Sequence, residues 1–205
     1  LSRTWAALGQ YAYRSTPDAL HVAQYVSGEL ALDWGRLRVE SDLPWRGTIR
    51  LGLQPAHAAP VTLSLRLPGW TDAHTLTLNG APLVADHVSA VPPAPASACG
   101  WSPHAARLLT VRRAWAPGDV LELSLAMPIR LHRQDPRVPR CGGLDAVSRG
   151  PLVYCLESTD NPGDVFAARL RHDYLAVADA PVLLGGVQAL RGRAADGAPL
   201  TFIPY

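Results

Sequence analysis

Hydrolytic chemistry asks a protein for a pair of carboxylates, or for a nucleophile beside a base. This sequence supplies such groups but does not cluster them. Asp119 follows Pro117-Gly118, Asp72 follows Pro68-Gly69-Trp70-Thr71, and Glu122 sits on the outward side of an alternating run, so each reads as turn or solvated surface. Asp160-Asn161-Pro162-Gly163-Asp164 has the oxygen density of a calcium loop. It lacks the alternation and closing Glu of an EF-hand, so an Asx turn is the better reading. The seven histidines (His21, His57, His74, His87, His104, His132 and His172) form no His-x-x-x-His or His-Glu pair. A metal site would need at least three of them gathered by folding.

The three cysteines, Cys99, Cys141 and Cys155, include no Cys-x-x-Cys pair. An odd count without that spacing argues against a disulfide framework or a structural zinc site. Cys155 lies inside the apolar run Leu152-Val153-Tyr154-Cys155-Leu156 and reads as a buried small hydrophobe. A nucleophilic thiol needs a base or a positive environment, and no local signature marks one beside Cys99 or Cys141. Tryptophans are what a sugar-binding surface would use for stacking. Of the six, Trp34, Trp45, Trp70 and Trp115 fit core or sheet-edge packing, and Trp101, in a Pro-rich stretch, is the candidate carbohydrate contact.

These groups must be positioned by strands. Val61, Leu63, Leu65 and Leu67 share one face of a run whose other face carries Thr62, Ser64 and Arg66. Ile49, Leu51 and Leu53 repeat the pattern, as do Leu121, Leu123, Leu125 and Met127 against Glu122 and Ser124. Period-two alternation of this kind marks antiparallel strands with one wet face. Asn79-Gly80 between Thr75–Leu78 and Ala81–Val84 predicts a hairpin, because both residues tolerate positive φ. Pro68-Gly69 and Pro117-Gly118-Asp119 supply further turns. Asp86–His104, rich in Pro, Ala and Ser, reads as a long loop inserted between strands rather than a linker.

The fold class expected is all-β, as two consecutive antiparallel β-sandwiches of jelly-roll-like kind. The expected domains are 19–127 and 128–205, the second with fewer, weaker strands (Leu144–Ser148, Leu152–Leu156, Tyr174–Val177, Val182–Leu184, Leu200–Ile203) and an unfinished look. Residues 1–18 would precede them as a residual helix and a connecting segment. Leu1, Trp5, Leu8 and Ala12 are spaced along one helical face, and Ser15-Thr16-Pro17-Asp18 breaks it. A lone amphipathic helix of this length is marginal in water, so Trp5 and Leu8 imply a missing neighbour.

Composition narrows the function classes. All 19 basic residues are Arg, they are interspersed with acidic ones, and the formal charge is +2. No basic stripe suggests nucleic acid. No apolar run reaches the roughly 18–20 residues of a membrane-spanning helix, so no membrane partner is expected. No signal peptide is visible, but the sequence starts at Leu1 rather than Met. The compartment therefore stays open, with the cytoplasm slightly favoured. Oligomeric state stays open too, a homodimer included.

Several phrases recur together in one family. They are Leu8-Gly9-Gln10-Tyr11-Ala12-Tyr13, Asp42-Leu43-Pro44-Trp45, Leu65-Arg66-Leu67-Pro68-Gly69-Trp70, Val111 through Asp119, Arg149-Gly150-Pro151-Leu152-Val153-Tyr154 and Phe202-Ile203-Pro204-Tyr205. Over essentially the whole chain the sequence resembles the C-terminal part of the bacterial β-L-arabinofuranosidases of glycoside hydrolase family 127. The resemblance implies an (α/α)6 barrel followed by two β-sandwiches, with a zinc-bound cysteine as nucleophile and a glutamate as acid/base. That family's adjacent Cys pair lies just before the segment matching Leu1-Ser2-Arg3. None of Cys99, Cys141 or Cys155 matches it, so no catalytic or metal residue is carried over and no cofactor is expected in this chain. Ser2–Tyr13 would be the barrel's last helix, packing on the missing barrel through Trp5 and Leu8. The leading expectation is a non-catalytic region that braces the barrel and rims the parent's sugar pocket. The alternatives are a stand-alone carbohydrate-binding module and a small enzyme pairing Cys141 or Cys155 with a histidine.

Overall fold

The computed structural model describes residues 7–90, 106–133, 144–161, 163–171, 173–181, 183 and 186–205. They form two compact units, Leu1–Ala126 and Met127–Tyr205. Trp5, Trp101, Cys99 and Cys141 lie outside the described residues.

In the first unit, alternation becomes two sheets. One has the order β1 (Tyr13–Thr16), β2 (Ala19–Val22), β6 (Pro60–Leu67), β10 (Arg107–Ala114), β9 (His87–Ala90). The other has the order β3 (Gly28–Leu32), β4 (Gly35–Ser41), β5 (Thr48–Pro55), β11 (Val120–Leu125), β7 (His74–Leu78), β8 (Ala81–Pro82). Neighbours are antiparallel except β2 and β6, which run parallel. The inward residues make one core: Leu20, Leu63, Leu65 and Leu109 from the first sheet meet Leu37, Ile49, Leu51 and Leu123 from the second. Each is fully or almost fully buried. Burying a Leu or Ile stabilises by about 1.5–3 kcal/mol, so this shared face is what holds the sheets together.

The outward side of the second sheet carries Arg–Glu pairs instead. Arg50 faces Glu122 in register, with Nε 2.7 Å from Oε2. Arg38 pairs with Glu40 at 2.8 Å and Arg36 with Glu29 at 3.4 Å. Glu122 is thus surface, as its place in the sequence implies.

The predicted helix from Ser2 to Tyr13 is shorter where it is described. α1 spans Leu8–Ala12, and Tyr13 already has extended backbone. Tyr13–Thr16 instead pairs with Ala19–Val22 as a hairpin turning at Pro17-Asp18. The reason is tertiary: the carbonyl of Ala12 accepts the N–H groups of Ala23 and Gln24, at 2.8 and 3.2 Å. The Tyr13 hydroxyl donates to the carbonyl of Val26, and the Tyr25 hydroxyl donates to that of Arg66 at 2.7 Å. A pattern read as a helix ending in a loop is therefore a short helix clasped to a strand pair. Likewise the long loop predicted from Asp86 begins as a strand. His87–Ala90 finds the free edge of β10.

In the second unit the described residues make one antiparallel sheet, in the order β12 (Ile129–Arg133), β13 (Asp145–Arg149), β14 (Leu152–Leu156), β17 (Pro199–Pro204), β16 (Val187–Arg193), β15 (Ala176–Ala180). Gly150-Pro151 closes β13 onto β14, with positive φ at Gly150 and the proline ring fixing the next φ, the pattern of a type II′ turn. Val147, Tyr154, Leu190, Leu200 and Phe202 form its core. Strands β12 and β16 were not legible as alternation. In β16 both Ala189 and Leu190 are buried, so the period of two is lost.

Candidate functional site

Several of the residues singled out by type are tied into turns or the core. Asp119 is the sharpest case: it sits in the turn that Pro117-Gly118 implies, yet it is only 8% exposed. Gly118 has φ +89°, and the Asp119 N–H returns to the Ala116 carbonyl at 3.0 Å, closing a type II turn. The carboxylate then folds inward. Its Oδ1 accepts from Asn79 Nδ2 at 2.9 Å and its Oδ2 from the Ala116 N–H at 2.8 Å. Asn79 completes the tie by accepting the Val120 N–H at 2.9 Å. Two turns far apart in sequence are locked together, and the hydrogen bond from Asn79 holds the Asp119 carboxyl below the usual carboxylate range.

Asn161 does similar work in the second unit. Its amide donates to the carbonyls of Glu157 and Thr201 at 2.8 and 2.9 Å and accepts the Thr201 N–H at 2.7 Å. Asp164 Oδ1 accepts the Phe166 N–H at 2.9 Å, the Asx turn that the sequence implies. Trp34 and Trp115 are buried, and the Trp115 indole N–H donates to Val61 at 2.9 Å. Trp45 is partly exposed at 37%. Leu8 lies on α1, and the structure does not test its proposed contact.

Cys155 does not have the setting of a nucleophile or a metal ligand. Its Sγ lies 3.7 Å from the Ile203 carbonyl, and burial pushes the thiol pKa up. A zinc-bound nucleophile needs the reverse, a thiolate favoured by cations or metal. Among the described residues no group of three or more His, Cys, Asp or Glu side chains could hold a metal ion.

Folding does create one pair that the sequence conceals. His132 Nε2 lies 2.7 Å from Ser148 Oγ, because β12 and β13 set them diagonally on one face. Val147, next in the chain, points to the opposite face, where it lines a cleft of about 170 Å³. The serine thus faces away from that cleft, and a catalytic serine must face one.

The cleft itself lies between the sheet and the segment 165–170. Val147, Leu156, Leu200 and Phe202 contribute the sheet side, and Leu144, Asp145, Phe166 and Arg169 stand around it. Phe166 is 78% exposed and Leu144 47% exposed, so two large apolar side chains meet water at one opening. The segment is held in place by backbone bonds from Ala195 N–H to Arg169 at 2.7 Å and from Arg171 N–H to Arg193 at 2.9 Å. Only the strand pairing brings residue 144 beside residue 166, so sequence reasoning had no local signal for this opening.

Comparison with known proteins places the whole fold. The family model described as the GH127 middle domain of β-L-arabinofuranosidase matches residues 19–127, and the model of the glycoside hydrolase family 127 C-terminal domain matches residues 129–205. The chain belongs to glycoside hydrolase family 127. It is 35% identical to the non-reducing end β-L-arabinofuranosidase of Bifidobacterium longum, over 98% of this chain and 30% of that protein. A solved GH127 β-L-arabinofuranosidase from Geobacillus stearothermophilus T6 superposes with a TM-score of 0.77 at 31% identity, over 100% of this chain and 34% of the other. Another solved structure, described as a GH127 β-arabinofuranosidase, gives a TM-score of 0.73 at 28% identity, over 100% of this chain and 35% of the other. This GH127 chain thus spans about a third of the length of these relatives. Among the described residues no helix is long and apolar enough to cross a membrane.

Proposed function

We propose that this chain is the non-catalytic β-region of a β-L-arabinofuranosidase-type glycoside hydrolase, bracing the part of the enzyme that performs hydrolysis. The observation that carries this is coverage. Middle-domain and C-terminal-domain models account for residues 19–127 and 129–205, about a third of the length of the relatives. Three of the candidate residues add to it: Asp119 and Glu122 are committed to a turn and an ion pair, and burial disfavours the Cys155 thiolate. The clasp of Ala12, Tyr13 and Tyr25 gives bracing a physical form. It fixes α1 against the first sandwich, so a helical domain continuing from α1 would be held at that joint. In this reading Trp5 and Leu8 pack on that domain, and zinc and its thiolate belong to it as well.

Release of p-nitrophenol from p-nitrophenyl β-L-arabinofuranoside tests the proposal. The 205-residue chain gives no rate above buffer, and a chain extended upstream through the adjacent Cys pair restores hydrolysis. Turnover by the 205-residue chain alone overturns it.

A further inference from the structure

The hydrogen bonds that clasp α1 run on beyond it. The carbonyl of Ala12 holds the N–H groups of Ala23 and Gln24, and the Tyr13 hydroxyl holds the carbonyl of Val26. Next in the chain, Ser27 Oγ accepts the Ser41 N–H at 3.0 Å. Ser41 leads into the loop 42–47, which is closed on itself. The Trp45 and Arg46 N–H groups both donate to the Asp42 carbonyl at 2.9 Å, and the Asp42 N–H donates to that of Thr48 at 3.1 Å. α1, residues 23–27 and residues 42–47 thus form one hydrogen-bonded surface at one end of the first sandwich. Segments fixed in this way lose little entropy when a partner covers them.

That surface is apolar where it is most open. Tyr11 is 63% exposed and Val26 53%. Among the described residues of the first unit, the exposed aromatic side chains are Tyr11 and Trp45, and both stand here. The opposite end of the sandwich is closed by the polar tie of Asp119 to Asn79. Aromatic rings are enriched at the buried centres of interfaces, where they supply much of the binding energy. Size decides how far such a contact reaches. α1 has five residues, whereas contacts between domains of one chain bury roughly 600–1,500 Å². A domain continuing from α1 must therefore cover the segments tied to α1 as well.

We infer that this end of the first sandwich, α1 with residues 23–27 and 42–47, is the docking surface for the helical domain of the bracing role, with Tyr11 and Val26 at its centre. The choice of occupant rests on that reading. The chain matches a middle and a C-terminal domain and about a third of its relatives' length, so the relatives carry a further domain ahead of this region.

Hydroxyl-radical footprinting of the 205-residue chain and of the chain extended upstream tests it. Expected is a several-fold fall in labelling of Tyr11, Val26 and Trp45 on extension. Val120, at the far end of β11, should be labelled alike in both. Tyr11→Arg combined with Val26→Arg should barely move the melting temperature of the 205-residue chain, because both side chains are exposed. In the extended chain the same pair should return Trp45 labelling to the level of the 205-residue chain. Unchanged labelling of Tyr11 and Val26 on extension overturns the inference, as does protection of Val120 in their place. Protection that appears in the 205-residue chain with rising concentration assigns the surface to a second copy, and protection by methyl β-L-arabinofuranoside assigns it to a sugar; either overturns the inference too. Hydrolysis by the 205-residue chain sinks the non-catalytic reading and leaves the footprint standing. An active extended chain with an unchanged footprint sinks this surface alone.

Discussion

Replacing Asp119 with Ala removes two hydrogen bonds to a carboxylate, from Asn79 Nδ2 and from the Ala116 N–H. Bonds to charged groups contribute about 1.5–3 kcal/mol each. Water entering beside the small alanine recovers part of that, leaving a loss of about 3 kcal/mol. For a unit of this size, between the small and large domains of that scale, 1 kcal/mol moves Tm by roughly 3–5 °C, so the first unit should melt about 9–15 °C lower at pH 7. All six tryptophans precede Met127, so their fluorescence reports the first unit alone. The effect must also fade in acid. Asp119 has a folded pKa below its unfolded value of about 3.8, because the Asn79 amide favours the charged form. Its contribution is therefore fully present well above that value and is lost as pH falls through the lower folded pKa. Melts of the two proteins should diverge at pH 7 and converge toward pH 2. A shift below ~2 °C at pH 7, or a gap that persists unchanged at pH 2, refutes the reasoning.

Two further expectations follow from single contacts. A Cβ on Gly47 would sit 2.0 Å from the Leu125 carbonyl oxygen, where the backbone cannot give way cheaply. Gly47→Ala should therefore open the paired ends of β5 and β11 and cost roughly 3 kcal/mol, read as an earlier tryptophan unfolding transition in urea; an unchanged midpoint would refute the close approach. With Cys99→Ser and Cys141→Ser in place, Cys155 should react with iodoacetamide at pH 8 several-fold more slowly than free cysteine, because burial disfavours its thiolate. Labelling as fast as the free amino acid would contradict its buried setting.

The legible parts of this fold are those whose cause lies in adjacent residues. Alternation from Val61 to Leu67 is β6, and Asn79-Gly80, with positive φ at both residues, is the turn between β7 and β8. Arg149-Gly150-Pro151-Leu152 is likewise a hairpin turn in the structure and part of the family resemblance. Illegible were β1, β9 and β16, which lack sustained alternation. Each is a strand because a partner edge lies beside it: β2 for Tyr13–Thr16, β10 for His87–Ala90, β17 and β15 for Val187–Arg193.

The same division runs through the side chains. Residue types and their order determined that the chain is β-rich and antiparallel, where several of its turns fall and which family it resembles, because φ preference and alternation act over a few residues. Tertiary structure decided the rest. It made Asp119, legible only as a turn residue, a buried tie to Asn79, 40 residues away. It placed His132 beside Ser148 but facing away from the cleft, and brought Leu144 and Phe166 to one opening. Those outcomes depend on strand register and loop closure between distant segments, and no local pattern of residues carries that information.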